Sequence, residues 1–358
     1  MKISGKLSSA LIVFSLVATA LTVMAYPLDG YEETGIRRVE GARLANEGLA
    51  IGGFQPPGAM LTTEQVDIRL VNRNVTLPPA DAAFTEQIKG LLGEHADRYG
   101  IAVLDLTDLE NPRYAEHRGD YRQNVGSVGK LLVALGLFQA LADTWPDDLD
   151  RRKAVLRDTI MTADDFAHSD HHTVRIFNVE TRELIRRPIA DGDKGELWEY
   201  LDWMLSVSSN SAAAMVMRDA MLLRHFGKDY PVSEEQIRTF FSTTPAGQLT
   251  RLFQQTFWEP VTRNGLSLDQ IRQGSFFTRQ GKANVNGGGN SYATARSLME
   301  FLLKMEQGTH VDEWSSRQRK RLLNMTERRI RYASSPELKE AAVYFKAASR
   351  YKSKEEEG

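Results

Sequence analysis

The sequence predicts a mixed α/β fold of the α+β type. An antiparallel sheet takes strands from both ends of the chain, helices flank it, and an all-helical subdomain is inserted between its strands. Three observations predict this. Ile101 to Leu106 is a short apolar strand, and Arg113 to Arg118 reads as a second one across an Asn-Pro turn. The run from Ser127 to Ala142, SVGKLLVALGLFQALA, is apolar on nearly every face, so as a helix it should pass through the middle of a domain. A further strand-like run begins at Val343-Tyr344-Phe345, after a largely helical middle.

Each element follows from local pattern. Lys2 and Lys6 precede an uncharged, mostly apolar run from Leu7 to Ala25 that ends in small residues. This reads as a secretory signal over residues 1–25, cleaved before Tyr26, with a retained membrane anchor as the alternative; either way the rest is exported, periplasmic or secreted. No later stretch reads as long and apolar enough to cross a membrane. Residues 26–80 form an N-terminal extension with turn signals at Gly52-Gly53 and Pro56-Pro57-Gly58. Within it, Val66 to Val71 alternates apolar and polar residues and reads as a strand.

Residues 81–358 form the main domain. Phe84, Ile88, Leu91, Leu92 and His95 recur at helical spacing until Gly100. Residues 151–222 read as helical with an interruption: Asp158 to Ile160 and Glu196 to Leu205 as helix, 168–190 as a polar excursion with strand character. One or two helices follow over 232–258. Asn286 to Gly289 is a loop, capped by Asn290 or Ser291 into a helix over Ala293–Glu306, and Arg317–Arg331 is a basic helix.

Composition narrows the chemistry. The chain has 358 residues, with 45 basic residues against 47 acidic ones, so there is no global charge to attract nucleic acid. There is no cysteine, which excludes disulfides, thiolate metal sites and a catalytic thiol. Three candidate elements remain. Ser127-Val128-Gly129-Lys130 is an S-x-x-K opening the apolar helix; residues three apart share a helix face, so the Lys130 amine can reach the Ser127 hydroxyl. Burial lowers a lysine pKa and suits Lys130 to accept the serine proton. Alternatively, Ser127 is a helix cap and the lysine extends outwards. Ser208-Ser209-Asn210 sets a hydroxyl beside an amide on a loop, or is a plain helix cap. Lys346-Ala347-Ala348-Ser349 follows the late strand, where a lysine would meet an acidic substrate group and backbone N–H groups would serve an oxyanion.

In this order the three elements resemble the S-x-x-K, S-D-N and K-T-G motifs of the serine β-lactamase and penicillin-binding superfamily. Gly100 to Leu106 is similar to its first strand, and Ala293-Thr294-Ala295-Arg296-Ser297-Leu298 resembles its A-T-A-R-D-L helix start. The likeness covers roughly residues 82–350 and is nearest to the class A branch. It implies a serine hydrolase that opens a β-lactam or related amide, with no cofactor or metal. The implied partner is a small β-lactam or a peptidoglycan-derived peptide. It implies Ser127 as acylated nucleophile, Lys130 as its activator and Ser208 as the relay to the leaving nitrogen. Asn210 would hold the substrate amide, Lys346 its carboxylate, and the N–H groups of Ser127 and Ser349 the oxyanion. A cell-wall D,D-peptidase or esterase, or an inactive peptidoglycan-binding relative, is the alternative.

The sequence departs from the pattern at several places. Ser209 replaces the aspartate of S-D-N, and Ala347-Ala348 replaces the Thr-Gly of K-T-G. There is no clear E-x-x-L-N to supply a deacylation base, Glu259 being the one loosely placed candidate. Nine residues follow Ser349, fewer than the superfamily's closing strands and helix, which points to a truncated or divergent end. His168-Ser169-Asp170-His171-His172 has metal-ligand residue types but reads as a polar surface loop. The basic helix reads as a solvated face, or as a contact to anionic cell wall or membrane.

Overall fold

A computed structural model describes residues 28–50, 55–327 and 329–349. The signal run, the Gly52-Gly53 turn and the chain end lie outside the described residues. The N-terminal helices are α1 (Tyr31–Thr34), α2 (Arg37–Asn46) and α3 (Ala82–Leu92). Strands β1 (Ile101–Asp105) and β2 (Arg113–His117) follow, then α4 (Lys130–Thr144) and α5 (Leu149–Asp158). Strands β3 (Ile160–Thr162), β4 (Thr173–Phe177), β5 (Leu184–Pro188) and β6 (Lys194–Glu196) precede α6 (Leu197–Ser206) and α7 (Asn210–Phe226). Next come α8 (Glu234–Thr243), α9 (Ala246–Phe257), α10 (Glu259–Arg263), β7 (Ile271–Arg272), α11 (Arg279–Asn284) and β8 (Tyr292–Ala293). Helices α12 (Ala295–Glu306), α13 (Glu313–Asn324) and α14 (Arg329–Tyr332) complete the order.

The mixed α/β class with antiparallel sheets is borne out. Among the described residues the strands form four two-stranded ladders: β1–β2, β3–β6, β4–β5 and β7–β8. In β1–β2, Val103 faces Ala115, α3 packs on β2 and α12 on β1. The centre is α4. Leu132, Val133, Leu135, Leu137 and Phe138 are each no more than 1% exposed, and α6, α7 and α9 surround the helix. With the 3-10 turn before it, Gly126–Thr144 is long and apolar enough to cross a membrane, which corrects the sequence reading. Its burial makes it a core helix, as its all-round apolarity requires.

Several local expectations change in the folded chain. Val66 to Val71 is not a strand. Its alternation is real, since Val66, Ile68 and Leu70 are buried, but its backbone is satisfied by other groups. Lys320 Nζ donates to Asp67 O at 2.7 Å, and Leu70 N donates to Glu306 O at 3.0 Å. Val343 to Phe345 likewise joins no ladder among the described residues. Arg329 Nη2 donates to Leu338 O and Ala341 O just before it, and the Lys320 ammonium lies 4.7 Å from the Tyr344 ring. Asp158 ends α5 and Ile160 opens β3, so that stretch is a helix-to-strand junction. Thr294, not Asn290 or Ser291, caps α12, in a reciprocal pair with Ser297.

The basic helix is not a solvated face. Arg319 and Lys320 of α13 are buried, and Arg317 pairs with Asp67 and Glu313. The N-terminal extension also packs directly on the helical body. Arg37 binds the Glu199 carboxylate and Arg38 binds Asp202, two acids of α6 whose side chains have no exposure.

Candidate active site

The Ser127 side chain enters the site from a tight turn. Gly126 holds φ at +49°, a left-handed conformation that glycine adopts freely, and the 3-10 turn Gly126–Gly129 then runs into α4. Gly129 is required for a different reason: a Cβ there would stand 2.0 Å from Gln273 Oε1. Ser127 is half-buried, whereas Lys130, one turn later, has no exposure at all.

Four oxygens surround the Lys130 amine. Nζ lies 2.6 Å from Ser208 O, 2.8 Å from Asn210 Oδ1, 3.1 Å from Ser127 Oγ and 3.3 Å from Ser208 Oγ. The first two are acceptors and each must take an N–H. Both are carbonyl oxygens that only accept, so the lysine is the donor to each, and Ser127 Oγ lies within hydrogen-bond distance of the same nitrogen. The Phe277 ring lies 4.8 Å from Nζ and covers another side of it. The reading of Lys130 as an outward-reaching lysine is therefore excluded.

The opposite wall is the Ser208–Asn210 turn. Ser208 holds φ at +68°, unusual for a residue with a Cβ, and this conformation presents both its carbonyl and its hydroxyl to Lys130. Ser209 is the N-cap of α7, accepting from Ala212 N at 3.1 Å. A carboxylate still serves this turn, but from another loop. Asp170 Oδ2 accepts from Ser209 Oγ at 2.9 Å, Asn210 N at 2.7 Å and Ser211 N at 3.0 Å. A negative charge at the N-terminus of α7 also suits the helix dipole.

Burial raises the Asp170 carboxyl, but His172 and the backbone N–H groups outweigh it and hold the group well below the usual carboxylate range. Asp170, His171 and His172 place ligand-type atoms within 4.8 Å of one another, a spacing that a metal would accept. Both Asp170 oxygens are already engaged, however, Oδ1 with His172 Nδ1 at 2.6 Å. The sequence reading passed over Asp170 as part of a surface loop; its side chain is 1% exposed.

Lys346 completes the cluster. Its Nζ donates to Ser208 Oγ at 2.7 Å and to Ala347 O at 3.0 Å, so Ser208 Oγ bridges two amines. Ala348 comes within van der Waals reach of the turn that carries Ser127, since a Cβ on Gly126 would lie 3.1 Å from its methyl. Ser349 is exposed, and among the described residues its hydroxyl makes no hydrogen bond to the other five. Glu259 lies elsewhere. It pairs with Arg224 at 2.9 Å and Arg263 at 3.6 Å, and both arginines also hold Asp143 near the far end of α4. That is roughly 20 Å along the helix from Lys130, at about 1.5 Å per residue.

The sequence pattern of the beta-lactamase enzyme family matches residues 83–358. The chain belongs to that family. It is a serine hydrolase of the β-lactamase and penicillin-binding superfamily. No curated protein sequence matches the chain. Among solved structures, it is similar to a beta-lactamase from Sphaerobacter thermophilus DSM 20745 at 10% identity, over 68% of this chain and 71% of that one, with a TM-score of 0.41. PBP-A is similar at 15% identity over 71% and 73% of the two chains, with a TM-score of 0.41. L2 in complex with relebactam is similar at 17% identity over 65% and 66%, with a TM-score of 0.38. In this family member the three motif elements meet at one place: Ser127, Lys130, Ser208, Asn210 and Lys346 are joined by direct hydrogen bonds.

Proposed function

We propose that the protein is an exported serine hydrolase that opens β-lactam or related amide bonds through an acyl-Ser127 intermediate. The observation that carries this reading is the Lys130 amine, donating to Ser208 O and Asn210 Oδ1 while facing Ser127 Oγ. Lys130 takes the Ser127 proton as Oγ bonds to the substrate carbonyl carbon. When the C–N bond breaks, Ser208 gives its proton to the leaving nitrogen and is resupplied by Lys130. Asn210 holds the substrate amide and Lys346 attracts its carboxylate. The N–H groups of Ser127 and Ser349 receive the oxyanion.

Mass spectrometry after incubation with a labelled penicillin tests this: one adduct mapped to Ser127, absent in Ser127→Ala, is the expected result. Absence of an adduct with several β-lactams would overturn it and favour an inactive peptidoglycan-binding relative. A second reading, a D,D-peptidase or esterase using the same groups, draws support from Glu259, which sits far from Ser127 and leaves the acyl-enzyme without that base. Turnover of a D-alanyl-D-alanine peptide with a persistent penicillin adduct would select it. Rapid nitrocefin turnover would select the β-lactamase.

A further inference from the structure

The turn that carries Ser208 and Asn210 holds a conformation that its own residues do not secure. Ser208 sits at φ +68°, a region that a residue with a Cβ keeps only where its surroundings over-determine it. Between the two lies Ser209, whose hydroxyl oxygen caps Ala212 N of α7 and brings no charge. Three donors from successive residues of the turn instead converge on one atom of another loop. Ser209 Oγ, Asn210 N and Ser211 N all donate to Asp170 Oδ2, at 2.9, 2.7 and 3.0 Å. Asn210 thus spends its backbone N–H on Asp170 while its side-chain oxygen accepts from Lys130 Nζ, so the carboxylate reaches the lysine through a single residue.

Asp170 is itself fixed. Its other oxygen, Oδ1, lies 2.6 Å from His172 Nδ1 and accepts from His172 N at 3.2 Å. The loop that carries it is pinned at separate points. Arg218 of α7 binds Asp164 at 2.5 Å, Thr278 Oγ1 donates to Phe166 O at 2.7 Å, and Ser211 Oγ donates to Ala167 O. The Phe166 ring lies 5.4 Å from that of Phe276, the neighbour of the Phe277 that covers the Lys130 amine. A carboxylate placed so firmly acts as a template for the turn. A displacement of about 1 Å in groups that meet a reacting substrate can cost about 10²-fold in rate.

We propose that Asp170 is a positioning residue for acylation. From the 163–172 loop it supplies the carboxylate that the second motif lacks at Ser209, and so holds Ser208 and Asn210 against Lys130 and the substrate. The effect on rate rests on the acyl-Ser127 reading, whereas the hold on the turn rests on the geometry alone.

Two variants of the full chain test it: Asp170→Ala alone, and Asp170→Ala combined with Ser209→Asp. The first should slow the first-order step of acylation by labelled penicillin by about 10–10²-fold. The second returns a carboxylate to the N-cap of α7, a position aspartate favours, and should recover the rate to within about fivefold of wild type. Should Asp170→Ala fail to fold, the double variant carries the test, since it folds and acylates if the carboxylate alone was missing. Acylation by Asp170→Ala within about twofold of wild type would overturn the proposal, as would a loss that Ser209→Asp leaves unrepaired. Amide hydrogen exchange separates these outcomes from failure of the acyl-Ser127 reading. The Asn210 and Ser211 amides should exchange at least roughly tenfold faster in Asp170→Ala and slow again in the double variant, while Val216 and Leu222, deeper in α7, change less. Equal acceleration along the whole of α7 would mark a general loss of stability and overturn the hold on the turn. If wild type takes no label from any penicillin while this exchange pattern appears, the acylation reading falls, and the rate effect with it, but the hold on the turn stands.

Discussion

Lys130 shows how much a single residue can reveal before a structure exists. A lysine one turn into an apolar helix is costly unless it is satisfied, and its three-residue spacing from Ser127 was legible in the sequence. Its four oxygen neighbours were not, because two of them come from Ser208 and a third from Asn210, about 80 residues away. Lys130→Ala removes the proposed proton acceptor and takes the lysine N–H groups from Ser208 O and Asn210 Oδ1. Acylation should slow by about 10²–10⁴-fold in stopped-flow or mass-resolved kinetics. Stability should fall by about 1–3 kcal/mol in urea titration. A rate loss below about tenfold would remove Lys130 from the mechanism. Phe277, which covers the amine, carried no sequence signal; an aromatic in a loop is an ordinary packing residue until its partner is known.

The decisive element is the short turn between α6 and α7, which the 163–172 loop holds from outside. Arg218 of α7 binds Asp164 at one end of that loop, and Asp170 takes three donors from residues 209–211 at the other. Since the folded pKa of Asp170 is depressed, its contribution to stability is present above about pH 4. It is lost as pH falls through the lower folded value. Asp170→Asn should therefore cost about 2–4 kcal/mol at neutral pH, with the gap to wild type closing in acid. An unchanged gap between pH 7 and pH 3 would show that the charge is irrelevant. Glu199 of α6 has the opposite sign. Burial raises its pKa to about 8 against the opposing pull of Arg37, so the stability it supports is full below about pH 4.5 and declines as pH rises to about 8. Glu199→Gln should flatten that slope in chemical unfolding across the same window. The run containing Asp170 was visible in the sequence, but its histidines drew attention to metal chemistry, and nothing local showed that its carboxylate turns inward to cap α7.

At the scale of the whole molecule, the 26–80 segment supplies partners that the rest of the chain cannot replace. Arg37 and Arg38 hydrogen-bond two fully buried acids of α6, while Val66, Ile68 and Leu70 are buried against the helical body. A fragment spanning residues 81–358 should consequently melt well below the full chain or fail to fold, and thermal unfolding of the two proteins checks this. A fragment melting within a few degrees of the full chain would make the segment an accessory. The late Val343 run shows the converse limit of pattern reading. β-propensity and alternation describe side chains, whereas a strand exists only where a neighbouring backbone is free to pair. Arg329 donates to the carbonyls of Leu338 and Ala341 just before it, Lys320 lies over the Tyr344 ring, and the stretch still delivers Lys346 to Ser208. By itself the sequence determined the family, the buried helix and the three motif elements that the fold brings together, because each is written in spacing over a few residues. Only the tertiary structure decided which carboxylate steadies the turn, which cations lie inside and that Glu259 stands apart. Those outcomes depend on contacts between distant segments, and hydrogen-bond satisfaction in a low-dielectric interior selects among them after the chain has packed.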